Sequence, residues 1–170
     1  MVCRASWAGR YRRRVPSDEV TIELLEPEHA DAQHCLHAYE AELDARFDAG
    51  FRVDNALPLP GEDLRGAGGC FLVAYRYGQP VGCGGLKLHG ADAAEIKRVW
   101  VDPRCRGLGL ARRLVAELEA RARSAGAPAV QLDTNRTLVE AIAMYRRLGY
   151  VEIAAFNDEP YAHHWFRKDL

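Results

Sequence analysis

The chain has 170 residues, 48% of them hydrophobic and 28% charged, with a formal net charge of −1. That length suits one domain with its own core, so no disulfide or metal staple is required, and the ordinary composition excludes a disordered chain. The near-neutral charge argues against a nucleic-acid binder, and no apolar run reaches the roughly 20 residues of a bilayer span.

Residues 1–14 carry Arg4, Arg10, Arg12, Arg13 and Arg14 and no acid. No apolar segment follows them, so they do not read as a secretory signal. Residues 1–18 are expected to form a flexible arginine-rich tail, and residues 19–170 the folded domain. Cys3, Cys35, Cys70, Cys83 and Cys105 are scattered without CxxC spacing. They are expected to be reduced thiols packed as small hydrophobes, in a cytoplasmic protein without a metal site.

Val20–Leu25 reads as a first strand. Pro27 fits the first turn of a helix, and Ala32, Cys35, Leu36, Tyr39 and Leu43 then follow a helical apolar rhythm. Phe47 to Gly69, rich in glycine and proline, predicts a long irregular segment of the kind that often carries function. Cys70–Tyr77, Val81–Leu88 and Ala94–Val101 predict an antiparallel meander. After Pro103, Leu110, Leu114, Val115 and Leu118 mark a second helix, with Glu117–Arg121 and Glu119–Arg123 ion pairs on its wet side and Gly126 closing it. Ala129–Asp133 is a short strand. Thr137 and Glu140 predict a capping box for a third helix with apolar positions Leu138, Ala141, Ile142 and Tyr145, ended by Gly149. Tyr150–Phe156 and His164–Arg167 are closing strands. The order predicts an α/β (α+β) domain, one mixed sheet flanked by helices.

The richest stretch runs from Arg98 to Arg112. A strand enters a turn with Gly107 and Gly109, which opens directly into an amphipathic helix. The first amides of such a helix lack intrahelical partners and the helix dipole adds positive potential, so the turn is an anion site suited to a diphosphate. Arg104, Arg106 and Arg112 add charge whose geometry favours phosphate. A Walker loop is excluded, because Leu110-Ala111 replaces Lys-Ser/Thr after the second glycine. A dinucleotide fingerprint is excluded because Arg112 stands at its third glycine and a meander precedes it.

Arg104-Cys105-Arg106-Gly107-Leu108-Gly109 resembles the Arg/Gln-x-x-Gly-x-Gly/Ala acetyl-CoA loop of the GNAT acetyltransferase superfamily. The strand opened by Ala94-Glu95-Ile96, the run Ala141 to Tyr150 with Tyr145, Gly149 and Tyr150, and a closing strand with Trp165 and Phe166 extend the resemblance from about Val20 to Leu170. It implies a mostly antiparallel sheet flanked by helices and an N-acetyltransferase using acetyl-CoA as cosubstrate. The amides of residues 106–111, including those of Leu108, Leu110 and Ala111, would hold the diphosphate. The pantetheine arm would lie along Val99, Trp100 and Val101, with an amide there, that of Val101, polarising the thioester carbonyl. Leu138 stands where many members have Asn, so Thr134 and Asn135 are expected to supply that polar contact.

The reaction expected is direct attack by a primary amine in a ternary complex. A lysine-like amine, with a pKa of about 10.4, is almost wholly protonated at neutral pH and needs a proton acceptor. Glu95 is the candidate base. By strand alternation it shares a face with Lys97, Val99 and Val101, so Lys97 can instead be its ion-pair partner. Tyr145 is the candidate proton donor to the leaving thiolate and a cofactor contact. Tyr39, Arg46, Phe47, Asn157, Tyr161 and His163 are the candidate substrate contacts. Arg46 or Arg52 would suit a carboxylate, and Glu42 or Asp158 a cation. The acceptor expected is a small metabolite such as an amino acid. A protein or peptide amine, a non-catalytic coenzyme-A-binding module, and a nucleic-acid partner for the arginine tail are the alternatives. No membrane partner is expected, and the oligomeric state is left open, a homodimer included.

Overall fold

A computed structural model describes residues 20–170; the expected tail and Cys3 lie outside the described residues. Strands β1 (Val20–Leu25), β2 (Gly69–Arg76), β3 (Gln79–Lys87), β4 (Ala94–Val101), β5 (Ala129–Thr134), β6 (Val151–Ile153) and β7 (His164–Asp169) form one sheet in the order β1-β2-β3-β4-β5-β7-β6. Every pairing is antiparallel except β4 with β5. Helix α1 is Ala30–Arg46, α2 is Leu110–Ser124 and α3 is Val139–Arg147. The order of elements and the mixed, mostly antiparallel sheet agree with the expectation.

Both faces of the sheet are covered, which is why β2 reads as a continuous apolar run rather than an alternating one. Phe71 and Val73 turn to α1, where they pack with Ala32, Cys35, Leu36 and Leu64. Leu72 and Ala74 turn the other way, to Leu110, Leu114, Val115 and Leu118 of α2 and Ile142 of α3. Cys35, Cys70, Cys83 and Cys105 are free and buried.

Two features of β4 shape the site. First, its parallel pairing to β5 covers only Ala94 with Val130 and Glu95 with Gln131, so the strands part towards their C-terminal ends. Second, β4 carries a bulge. Cys83 faces Trp100 but Gly85 faces Lys97, and Arg98 has a φ of 54°. The extra residue reverses the alternation. Ala94, Ile96, Val99 and Val101 therefore face α2, while Trp100 joins the α1 side. This corrects the expectation that Glu95 and Lys97 share a face with Val99 and Val101.

Other local expectations fail for identifiable reasons. Pro27 lies in a turn before α1, where its carbonyl accepts from Gln33 Nε2 at 2.7 Å, and His29 caps the helix instead. The capping box does not form: α3 starts after Leu138, and the Glu140 carboxylate is drawn to Arg46 at 2.8 Å. Asn135 Oδ1 accepts from Thr137 N at 3.0 Å in its place. Glu119 pairs not with Arg123 but with Tyr150 and Lys168, at 2.9 and 2.8 Å. The strand expected over Tyr150–Phe156 is cut to Val151–Ile153.

Candidate active site

Where β4 and β5 part, two cavities meet. The larger, 620 Å³, lies between the end of β4, the turn after it, the start of α2 and one side of α3. The smaller, 220 Å³, lies between α1, the segment around residues 51–59, the starts of β4 and α3, and the segment around residues 157–162. Tyr39, Leu43, Val99, Leu138, Ala141 and Tyr145 line both.

The large cavity is built for an anion at one end. Gly107 and Gly109 have φ of 78° and 76°, and a Cβ on either would enter open space. Such angles disfavour residues with a Cβ. The first intrahelical bond of α2 runs from Arg113 N to Gly109 O, and Gly109 has no side chain to cap with. The amides of Leu110, Ala111 and Arg112 are therefore left without helical partners at the cavity wall. An open cradle of free amides fits the diphosphate of coenzyme A.

The turn is held rigid from below. Asp102 accepts from Arg104 N at 2.9 Å and from its guanidinium at 2.6 Å. The Arg104 bond, opposed by burial, holds the Asp102 carboxyl below its ordinary range. Arg106 donates to Val101 O at 3.1 Å and to Glu42 at 2.5 Å. Asp102 N donates to Val81 O on β3, so strand alternation turns the Val101 amide away from β3, towards the gap. Glu42 also accepts from Trp100 Nε1 at 2.9 Å and Arg46 at 3.2 Å. Burial works to raise the Glu42 carboxyl, but bonds from Arg106 and Trp100 outweigh it and hold it low.

Tyr145 stands at the junction, packed edge-on against Tyr150 at 5.5 Å. Its hydroxyl has no hydrogen bond among the described residues, and burial, aided by the Asp133 charge, drives its pKa upward. At neutral pH it is a phenol with a proton to donate.

Glu95 lines the small cavity at the centre of a polar chain. His89 Nε2 lies 2.8 Å from its carboxylate and Lys97 Nζ 3.7 Å. Lys97 is closer to Asp133, at 2.7 Å, and Asp133 also accepts from Asn157 at 2.9 Å. Trp165 Nε1 fixes Asn157 at 2.8 Å. Phe47, Phe51 and Tyr161 form an aromatic wall with ring centroids 4.9–5.9 Å apart.

The structure thus brings Val99, Trp100, Val101, Arg106, Gly107, Gly109, Leu110, Ala111, Arg112 and Tyr145 to the large cavity. Tyr39, Phe47, Glu95, Asn157, Tyr161 and again Tyr145 line the small one. Asn135 lines the small cavity, its amide donating to Tyr161 O at 2.7 Å. Arg46 lines the large cavity and not the small one, and Glu42, Glu140 and Thr137 O, the last at 2.6 Å, occupy its guanidinium. Leu108, Arg104, Arg52, Asp158 and His163 line neither cavity. His163 Nδ1 instead accepts from Arg136 N at 3.4 Å. Sequence reasoning missed Arg98, Glu40, Phe51 and Asp133 at the small cavity. A half-buried arginine and an acid on strand β5 are visible as residue types, but neither the bulge nor the parting of strands is.

The profile of the Acetyltransferase (GNAT) family matches residues 21–150. The N-acetyltransferase YjgM of Escherichia coli K12, itself uncharacterized, is 36% identical over 142 residues, covering 81% of this chain and 85% of that protein. The IAA acetyltransferase of Azospirillum brasilense is 39% identical over 88 residues, which span 51% of this chain and 58% of that protein. A Klebsiella pneumoniae structure assigned as an acyl-CoA N-acyltransferase superposes with a TM-score of 0.72 at 29% identity, covering 89% of this chain and 97% of the other. Sheet, loop and sequence agree: the chain belongs to the GNAT family of acetyltransferases.

Proposed function

We propose that this chain transfers the acetyl group of acetyl-CoA to the primary amine of a small metabolite, such as an amino acid, by direct attack in a ternary complex. The observation that carries this reading is the meeting of a 620 Å³ cavity, ending in helix amides without helical partners, with a smaller 220 Å³ cavity at Tyr145 and Val99. Since a cavity of about 150 Å³ holds a benzene molecule, the smaller one suits a small acceptor better than a folded protein surface.

Acetyl-CoA, when bound, supplies an acyl group activated as a thioester. Gly107, Gly109 and the amides of Arg106 to Ala111 hold its diphosphate, and Arg112 adds charge at the mouth. Arg104, paired with Asp102, fixes the turn. Val99 and Trp100 align the pantetheine arm, while the amide of Val101 meets the carbonyl oxygen, where developing negative charge is best stabilised. On the other side, Tyr39, Phe47, Asn157 and Tyr161 surround the acceptor and Asn135 positions Tyr161. Glu95 takes the amine proton, directly or through water, with His89 and Lys97 as its neighbours. Tyr145 gives its proton to the departing sulfur. Residues 20–170 carry all of these groups.

The test is release of free coenzyme A thiol from acetyl-CoA against a panel of amino acids, simple amines and amine-bearing peptides. Turnover with small amines supports the proposal. Turnover with peptides alone, or coenzyme binding with no turnover for any amine, rejects it.

A further inference from the structure

Among the described residues, the small cavity contains an unanswered positive charge. Its other cations are matched, Lys87 by Asp63 at 2.8 Å and Lys97 by Asp133 at 2.7 Å. Arg98 is half-buried, lines the same cavity, and makes no ion pair or side-chain hydrogen bond among the described residues. It sits at the bulge of β4 with its backbone in the left-handed region, which non-glycine residues seldom occupy. Bulges near active sites commonly re-aim a side chain. Tyr39 lines the same cavity: burial pushes that phenol's pKa up, and the Arg98 charge pulls against it. Arg98 is also the chain neighbour of Val99, which lines both cavities.

We propose that Arg98 receives the carboxylate of the acceptor, so that the acceptor is a free α-amino acid. This rests on the transferase reading above and adds the group that selects its substrate. A guanidinium fork matches a planar carboxylate with two parallel hydrogen bonds. A phosphate is disfavoured, because Glu40, Glu95, Asp133 and Glu159 line the same cavity and would repel a dianion. Glu40, half-buried on α1 and also without an ion pair or side-chain hydrogen bond among the described residues, offers a counter-charge to the ammonium form before it loses its proton. An α-amino acid carries both charges one carbon apart, a span the 220 Å³ cavity accommodates. The wall of Phe47, Phe51 and Tyr161 suits an apolar or aromatic side chain.

The experiment compares L-phenylalanine, its carboxamide and phenethylamine as acceptors, followed as thiol release with saturating acetyl-CoA. The wild-type protein is expected to favour the acid by at least about 10-fold in kcat/KM. Arg98→Met should lower kcat/KM for the acid about 100-fold, chiefly through KM, and erase the preference, with Arg98→Lys restoring part of it. Calorimetric titration of wild-type protein with coenzyme A, using acid against carboxamide, gives the same comparison without a variant. Turnover or binding indifferent to the carboxylate, or an Arg98→Met variant that lowers all three acceptors equally, overturns the Arg98 assignment alone. Coenzyme binding with no thiol release for any amine overturns the transferase reading and this inference with it.

Discussion

Tyr145 and Glu42 show how a side chain's surroundings set its role. The Tyr145 ring is held by Tyr150 and Phe166 and lines both cavities, while its hydroxyl has no hydrogen bond among the described residues. Tyr145→Phe keeps the packing and removes only the proton donor. Turnover should fall on the order of 10²-fold while the acetyl-CoA dissociation constant stays nearly unchanged, read by thiol release and calorimetry. Glu42 is a strut instead: its carboxylate joins α1 to Trp100 on β4 and to Arg106 in the turn. A carboxyl held below its ordinary value stabilises the fold above that value, and the contribution is lost as pH falls through its folded-state value. Glu42→Gln should cost about 1–2 kcal/mol at neutral pH. The gap to wild type should close as urea unfolding is repeated below about pH 4.3, the ordinary glutamate value. A gap independent of pH would show that Glu42 acts by shape alone.

At the scale of elements, the working unit is β4, the turn and α2. The strand turns the Val101 amide away from β3, the glycines turn the chain, and the helix presents N-terminal amides without helical partners. Gly107→Val would place a branched side chain in the open space over the turn, at a φ of 78° that such a residue resists. Coenzyme A affinity should drop by more than about 100-fold in calorimetry, with a stability loss of about 1–2 kcal/mol. Unaltered binding would move the diphosphate elsewhere. The glycines, the strand and the apolar face of α2 were readable in sequence because each is a local requirement of spacing or of φ. The capping box was not, because Arg46, 94 residues from Glu140 along the chain, competes for that carboxylate.

For the molecule as a whole, the site is a property of the sheet's split. Residues 19–170, expressed without residues 1–18, should keep full coenzyme binding and acetyl transfer; loss of either would place part of the site in the arginine-rich segment. The order of elements, the sheet covered by helices and the glycine turn before α2 were legible in the sequence alone, since hydrophobic period and glycine placement act over a few residues. Which residues meet across the cavities was decided only in three dimensions. The bulge at Arg98 reversed the faces of β4, bringing Val99 to the α2 side and leaving at the small cavity an arginine with no ion pair among the described residues. Arg46 was taken by Glu42, Glu140 and Thr137, although in sequence it was as good a carboxylate ligand as any. One inserted residue in a strand register and competition between distant charges depend on contacts far apart along the chain, so no local pattern records them.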